Sequence, residues 1–231
     1  SLWNDPTREH WFGGGYDSPG IHSVLVDPRD SARLILGISS AGGWISEDGG
    51  TSWMSGTGMR NAYMPPDKAY EPVAQDPHRF AHCPAAPDIV WCQHHNGIFR
   101  STDGAKTFTE IEAEAPSRFG FAVAAHPEDP ETAWFIPAVK DEFRYAVDRR
   151  MLAIRTTDGG KSFEVFSDGL PQENCYDLVY RHSLDVDQAG ERLVMGSTTG
   201  NLWLGEGGGE RWRQLQAHLP PIFAVAWTPE G

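Results

Sequence analysis

The sequence predicts an all-β protein built from repeated four-stranded units, and three observations carry that prediction. The first is a recurring turn motif: Ser46-Glu47-Asp48-Gly49-Gly50-Thr51-Ser52-Trp53, then Ser101 to Phe108, then Thr156 to Phe163. Its aspartates, Asp48, Asp103 and Asp158, are spaced 55 and 55 residues apart, and a worn copy from Gly205 to Trp212 puts Gly207 in the same place 49 residues later. The second is an independent alignment of strand-like segments: His22 to Pro28, His78 to Pro84, Phe121 to Pro127, His182 to Gln188 and Phe223 to Pro229. The third is composition: 25 Gly, 17 Pro and 9 Trp suit many short strands with aromatic anchors. A fixed period of this size marks a repeat architecture.

Taken in order, residues 1–19 hold Trp3, Trp11, Phe12, a Gly13-Gly14-Gly15 run and Pro19, and read as an irregular loop segment. Each unit then opens with one of the aligned strands, which are expected to be innermost. A polar turn leads to a second strand, Leu34 to Ile38, Ile89 to Gln93, Thr132 to Ile136 and Arg192 to Gly196, where apolar residues follow strand period. Third strands, such as Gly97 to Arg100 and Asn201 to Leu204, run into the turn motif. Fourth strands begin at Trp53, Phe108, Phe163 and Trp212. The units span about 20–57, 78–113, 119–168 and 180–217, with a lone inner strand at 222–229. In the motif, Gly tolerates positive φ and Asp can accept hydrogen bonds from nearby backbone N–H groups. Asp48, Asp103 and Asp158 are therefore expected to staple their own turns. The closing rings of Trp53, Phe108, Phe163 and Trp212 are expected to lie largely buried between units.

The motif resembles the Asp-box, or BNR, repeat of sialidase-like β-propellers. The resemblance covers nearly the whole chain from Gly20 onward and implies four-stranded blades around a central channel. The chain is also similar to the bacterial WD40/YVTN/BNR-like repeat proteins of the exo-sialidase-like, or glycosyl-hydrolase BNR, group. That likeness implies a seven-bladed parent of which these would be the later blades; a closed four-bladed ring is the alternative. The box is structural across glycosidases and non-enzymatic members alike, so it names no reaction.

The formal net charge of −13 argues against a nucleic-acid partner, which needs clustered Lys and Arg. No apolar run approaches the length of a membrane span. Three cysteines, Cys83, Cys92 and Cys175, make a poor disulfide framework, and a reducing, cytoplasmic setting is the default expectation.

Alternating strand direction gathers the candidate site residues at one end. The inner-strand starts bring His22, His78 and His182; the hairpin of the second blade brings His94 and His95, of which only one can face the channel. Longer connections add Asp67, Arg144 and Tyr176, and long loops at one end of a scaffold commonly carry binding residues. Two readings of the three repeated histidines stay open: inherited residues that bond to backbone, or a shared polar site. No His-x-His or Cys-x-x-Cys spacing marks a metal site, and neither metal nor cofactor is expected. Protonation of imidazole near its ordinary value would strengthen anion binding below about pH 6.5. The preferred reading is a binding scaffold for a small polar or carbohydrate ligand or a protein partner. The alternative is a glycoside hydrolase of exo-sialidase type, which would need two facing carboxyl groups; Asp67, Glu71, Asp141 and Glu142 are the unranked candidates.

Overall fold

The computed structural model describes residues 20–228. The irregular segment expected at 1–19, and Pro229 of the last aligned strand, lie outside the described residues. The first sheet is β1 (Gly20–Asp27), β2 (Asp30–Ser39), β3 (Gly42–Ser46) and β4 (Met54–Ser55), and the second is β5 (Pro77–Cys83), β6 (Ala86–His94), β7 (Gly97–Ser101) and β8 (Thr109–Glu110). The third runs β9 (Gly120–Ala125), β10 (Ala133–Lys140), β12 (Ala153–Thr156) and β13 (Glu164–Phe166), with β11 (Phe143–Ala146) extending β10. The fourth is β14 (Leu184–Val186), β15 (Leu193–Gly196), β16 (Leu202–Glu206) and β17 (Arg211–Gln216). In each sheet neighbours in space are neighbours in sequence, save that β10 also pairs with β12 past the inserted β11, and every pairing is antiparallel. These are the blades of a β-propeller, with the strand order read from the repeats. Among the described residues no helix is long and apolar enough to cross a membrane.

The core lies between blades. Ile35 and Ile45 of the first blade pack against Phe80, Phe99 and Phe108 of the second. Trp91 and Ile98 meet Phe135 and Ile154 of the third. Trp134 meets Met195, Trp203 and Trp212 of the fourth. Each blade therefore needs a neighbour to bury its faces, the defining dependence of a repeat array. The closing rings follow this rule unevenly. Phe108 and Trp212 are buried, but Trp53 and Phe163 are only half-buried, short of the burial expected for all four. Trp53 packs against the Leu36, Ile38 and Ala41 cluster of its own blade.

At the turn end the aspartates do what the motif requires. Asp48 Oδ1 accepts the backbone N–H groups of Thr51 and Ser52, and its Oδ2 accepts the Ser52 hydroxyl at 2.6 Å. Asp103 takes the N–H and hydroxyl of Thr107, and Asp158 those of Ser162. Each turn also docks on the first hairpin of its own blade: Gly49, Gly104, Gly159 and Gly208 donate to Ala32, Asp88, Glu131 and Glu191 carbonyls at 2.8–3.0 Å. The fourth bond survives in the worn copy.

Residues 222–228 form no strand, but Ala224 pairs in parallel with His182, and Val225 N donates to His182 O at 2.8 Å. The tail thus runs beside the innermost strand of the fourth blade.

Candidate functional site

The opposite end begins with a backbone irregularity. The β1–β2 register slips between Ile21 and Ser23, and the β5–β6 register between Pro77 and Arg79. In the third blade the slip falls between Gly120 and Val123. The aligned positions His22, His78 and Phe121 therefore sit in β-bulges, which re-aim a side chain out of strand alternation. His182 precedes the regular part of β14.

His78 is buried, stacked on Phe121 with ring centroids 4.3 Å apart, and its Nδ1 lies 2.6 Å from the Gly120 carbonyl. Nδ1–H donates there, so Nε2 carries the lone pair. That Nε2 is 3.2 Å from Nδ1 of His95, on the β6–β7 hairpin, and 3.9 Å from Oδ2 of Asp76. Asp76 Oδ2 is also 3.2 Å from His95 Nδ1. Asp76, the last residue of the long connection into β5, is held on every side. Its N–H donates to His94 Nε2 at 3.0 Å and its carbonyl accepts from His95 N–H at 2.9 Å. Its Oδ1 accepts the Ser39 hydroxyl at 2.6 Å and Ser40 N–H at 3.1 Å. Burial works against the charge on Asp76, but the His95 hydrogen bond, the His78 ring and the Ser39 hydroxyl together hold its pKa below the usual carboxylate range.

Beside this trio opens a pocket of 160 Å³ lined by Ser40, Asn61, Tyr63, Met64, Asp76 and His95, among others. On the channel side stand two arginines. Arg79 donates to Nδ1 of His182, and Arg181 lies over the Phe121 ring, its guanidinium carbon 5.1 Å from the centroid. Both are half-buried, and both Nε atoms are buried without a partner. Among the described residues neither guanidinium is paired with a carboxylate. Burial lowers the pKa of both, short of neutralising a guanidinium.

The repeated histidines do not titrate as expected. Burial, then Arg181 and His182, push His22 down to about 4. Burial takes His78 to about 3, and burial with Arg79 and Arg181 lowers His182. The expectation of imidazolium forming just below pH 6.5 is not met at His22, His78 or His182: burial first, with the neighbouring arginines adding to it, favours their neutral forms.

Of the residues singled out from sequence, His22, His78, His95 and His182 come together here. His94 does not: it is fully buried behind the site, its Nε2 accepting from Asp76 N–H, and burial lowers its pKa to about 3. Asp67 is exposed on its loop and lies outside the pocket lining. Tyr176 is exposed and meets Tyr145 edge-on, 5.5 Å between centroids. Arg144 stands at the rim, ion-paired to Asp141 at 2.5 Å and 3.3 Å from the Tyr180 hydroxyl. Sequence reasoning missed Asp76 and Arg79. Strand alternation gave no signal for the first, since Asp76 precedes β5 and His78 sits in its bulge.

No family model matches the chain, and no curated protein matches it. Its fold is similar to that of an ancestral GH74 enzyme, with 16% identity and a TM-score of 0.62 over 84% of this chain and 24% of that one. It is similar to YCF48 from Cyanidioschyzon merolae, at 14% identity and TM-score 0.57 over 88% of this chain and 58% of the other. It is also similar to the β-propeller domain of Cps50 (Swd1) from Myceliophteria thermophila, at 12% identity and TM-score 0.58 over 92% and 60%. The chain spans from about a quarter to three fifths of the length of these proteins. Identities this low carry the fold alone: the chain is a β-propeller.

Proposed function

We propose that this propeller is a binding module of the sialidase-like BNR kind whose channel mouth takes a small anionic ligand such as a sugar acid. The observation that carries the reading is the pair Arg79 and Arg181, two half-buried guanidiniums without carboxylate partners. Taking such charges out of water is costly unless something completes them, and planar guanidinium is suited to bidentate recognition of a carboxylate. His22 and His182 add neutral imidazoles with one donor and one acceptor each. Exposed rings of Tyr63, Phe143 and Tyr176, on connections at the same end, offer faces for a sugar ring.

Binding is favoured over glycoside hydrolysis by the carboxylate count. A glycosidase needs two carboxyls flanking one bond. Among the described residues lining the 160 Å³ pocket, Asp76 is the sole carboxylate, and in the 320 Å³ cavity that Arg79 lines both carboxylates are engaged, Asp185 by the Val186 and Trp227 N–H groups and Asp187 by Arg192. Of the other candidates, Asp141 and Glu142 are ion-paired on their own loop with Arg144 and Lys140.

Calorimetric titration of a neutral sugar against its uronic acid tests the reading, with N-acetylneuraminate as a second acid. Acids should bind and the neutral sugar should not, and Arg181→Ala should abolish the difference. Equal responses to acid and neutral sugar, or an unchanged Arg181→Ala, would sink it.

A further inference from the structure

We infer that Asp76, His78 and His95 form a binding site for a divalent transition-metal ion. Three potential ligand atoms converge: His78 Nε2, His95 Nδ1 and Asp76 Oδ2, separated by 3.2, 3.2 and 3.9 Å. Atoms so spaced share a centre about 2.0 Å from each, which is the length of a zinc–nitrogen or zinc–carboxylate bond. Tetrahedral ligands at that bond length stand about 3.3 Å apart; the two separations to His95 Nδ1 match this, and the 3.9 Å between His78 Nε2 and Asp76 Oδ2 would have to close by about 0.6 Å on binding.

Hydrogen bonding in the trio is incomplete without an ion. His78 spends its only neutral N–H on the Gly120 carbonyl, so Nε2 faces the centre as a lone pair. The Asp76 carboxylate is an acceptor as well. One proton on His95 Nδ1 is then shared between two acceptors, whereas a cation satisfies all three. The surroundings also resemble a metal centre. A ligating imidazole typically donates its other N–H to a carbonyl, as His78 does, and a ligating carboxylate is itself hydrogen-bonded, as Asp76 is to Ser39 and Ser40.

Donor type narrows the ion. Two imidazoles and one carboxylate suit zinc, iron, cobalt or nickel and are a poor set for magnesium or calcium, which prefer oxygen. Three protein ligands leave a further position, and the 160 Å³ pocket bounded by Tyr63, Asp76 and His95 gives water or a ligand a route to it. The site stands apart from the anion reading, because it needs neither Arg79 nor Arg181.

The experiment uses the purified chain, stripped with chelator and confirmed folded by circular dichroism. Titration with Zn²⁺ alone should give one ion released by His95→Ala and by Asp76→Asn, and Co²⁺ should give visible bands of a four- or five-coordinate site. His95 lies on a hairpin and is only half-buried, so its loss should leave the fold intact. Ser39→Ala keeps all three ligands and should weaken Zn²⁺ by roughly 10–100-fold. His218→Ala, at an exposed histidine outside the mouth, should leave Zn²⁺ binding unchanged. No Zn²⁺ uptake by the folded wild-type chain, or uptake unaltered in folded His95→Ala, overturns the inference.

Discussion

The two ends of this propeller are built from one repeat and have diverged to opposite degrees. At the turn end the first three blades repeat one another: an aspartate caps its own turn, a glycine N–H docks on the blade's first hairpin, and an arginine reaches the next blade; the fourth keeps the glycine bond alone. Arg33 pairs with Asp88, Arg100 with Glu131 and Arg155 with Glu210, a regular ladder from first to fourth blade. At the mouth the aligned positions of the first three blades share only a bulge, and the fourth lacks even that. One carries a histidine facing a carboxylate and a second histidine, one a phenylalanine, and one a histidine bonded to an arginine. At the turn end the box aspartates are satisfied within their own turns, and Arg33 and Arg100, each with a buried unpartnered Nε, still reach a carboxylate of the next blade. At the mouth Arg79 and Arg181 leave the same atom unpartnered and are ion-paired to no described carboxylate. Local satisfaction is the signature of structure, and unfinished pairing that of a site.

The largest effect that tests this contrast concerns a ring beneath the turns. Phe108 is buried between the first two blades and stacks on Phe80 at 5.2 Å, so Phe108→Ala should cost about 3–5 kcal/mol in denaturant unfolding. The half-buried Phe163 should cost roughly half as much on truncation, by its smaller buried area. Equal losses at the two rings would mean that burial between blades is not what anchors the turns.

Next in size are the polar groups. Asp103→Ala removes the acceptor for Thr107 N–H and its hydroxyl, and should lower stability by about 1–2 kcal/mol. Arg181→Ala should go the other way or change nothing beyond about 0.5 kcal/mol, because it deletes a half-buried charge with no paired carboxylate. A destabilising Arg181→Ala comparable to Asp103→Ala would erase the distinction between the ends.

The asymmetry also explains what the sequence could reveal. Strand order and the capping by Asp48, Asp103 and Asp158 follow from local signals, since each box bonds within itself. The mouth was legible only as a gathering of His22, His78, His95 and His182. Asp76 belongs to it because the 59–76 connection folds back onto β6 through His94 and His95. Arg79 belongs because a bulge one residue earlier shifts its strand and sets it against His182 of the fourth blade. Contacts between blades leave no spacing in a single chain, and a bulge is invisible in a pattern of period two.

Acid should separate the ends in a smaller way. Hydrogen bonds from Ser52 and Ser46 hold Asp48 at about 2, and those from Ser162 and Thr156 hold Asp158 at about 2. A carboxyl depressed on folding contributes stability above its unfolded value and loses it as pH falls through the folded one. Stability at the turn end should therefore decline between about pH 4 and pH 2, and Asp48→Asn should flatten that part of the profile. Protonation of His22 should strengthen anion binding at the mouth well below the ordinary imidazole range, as His22 titrates toward 4. A rise in affinity centred near pH 6.5 would show an unshifted imidazole and contradict the arginine-dominated mouth.

The smallest effect is expected where the turn end itself has decayed. Restoring the motif with Gly207→Asp looks stabilising on sequence grounds, because it returns the missing acceptor. The backbone argues otherwise. Gly49 and Gly50 have positive φ in the first turn while Asp48 does not, but in the worn copy Gly207, Gly208 and Gly209 all do, at 62°, 65° and 87°. A side chain at Gly207 has room, its nearest neighbour being Glu210 Cβ at 3.8 Å, yet left-handed backbone costs a non-glycine residue about 1 kcal/mol. The hydroxyl of Ser46 is also missing here, since Gly205 stands in its place. What remains is anchored without the aspartate: Trp212 Nε1 donates to Gly209 O at 2.8 Å, as Trp53 does to Gly50 O at 3.1 Å, and Gly208 N–H keeps its bond to Glu191. Gain and strain should nearly cancel, leaving Gly207→Asp within about 0.5 kcal/mol of the parent in thermal unfolding. A gain of more than 1 kcal/mol would mean that the turn can revert to the geometry of its three relatives, and that side-chain capping rather than the glycine backbone dictates its shape.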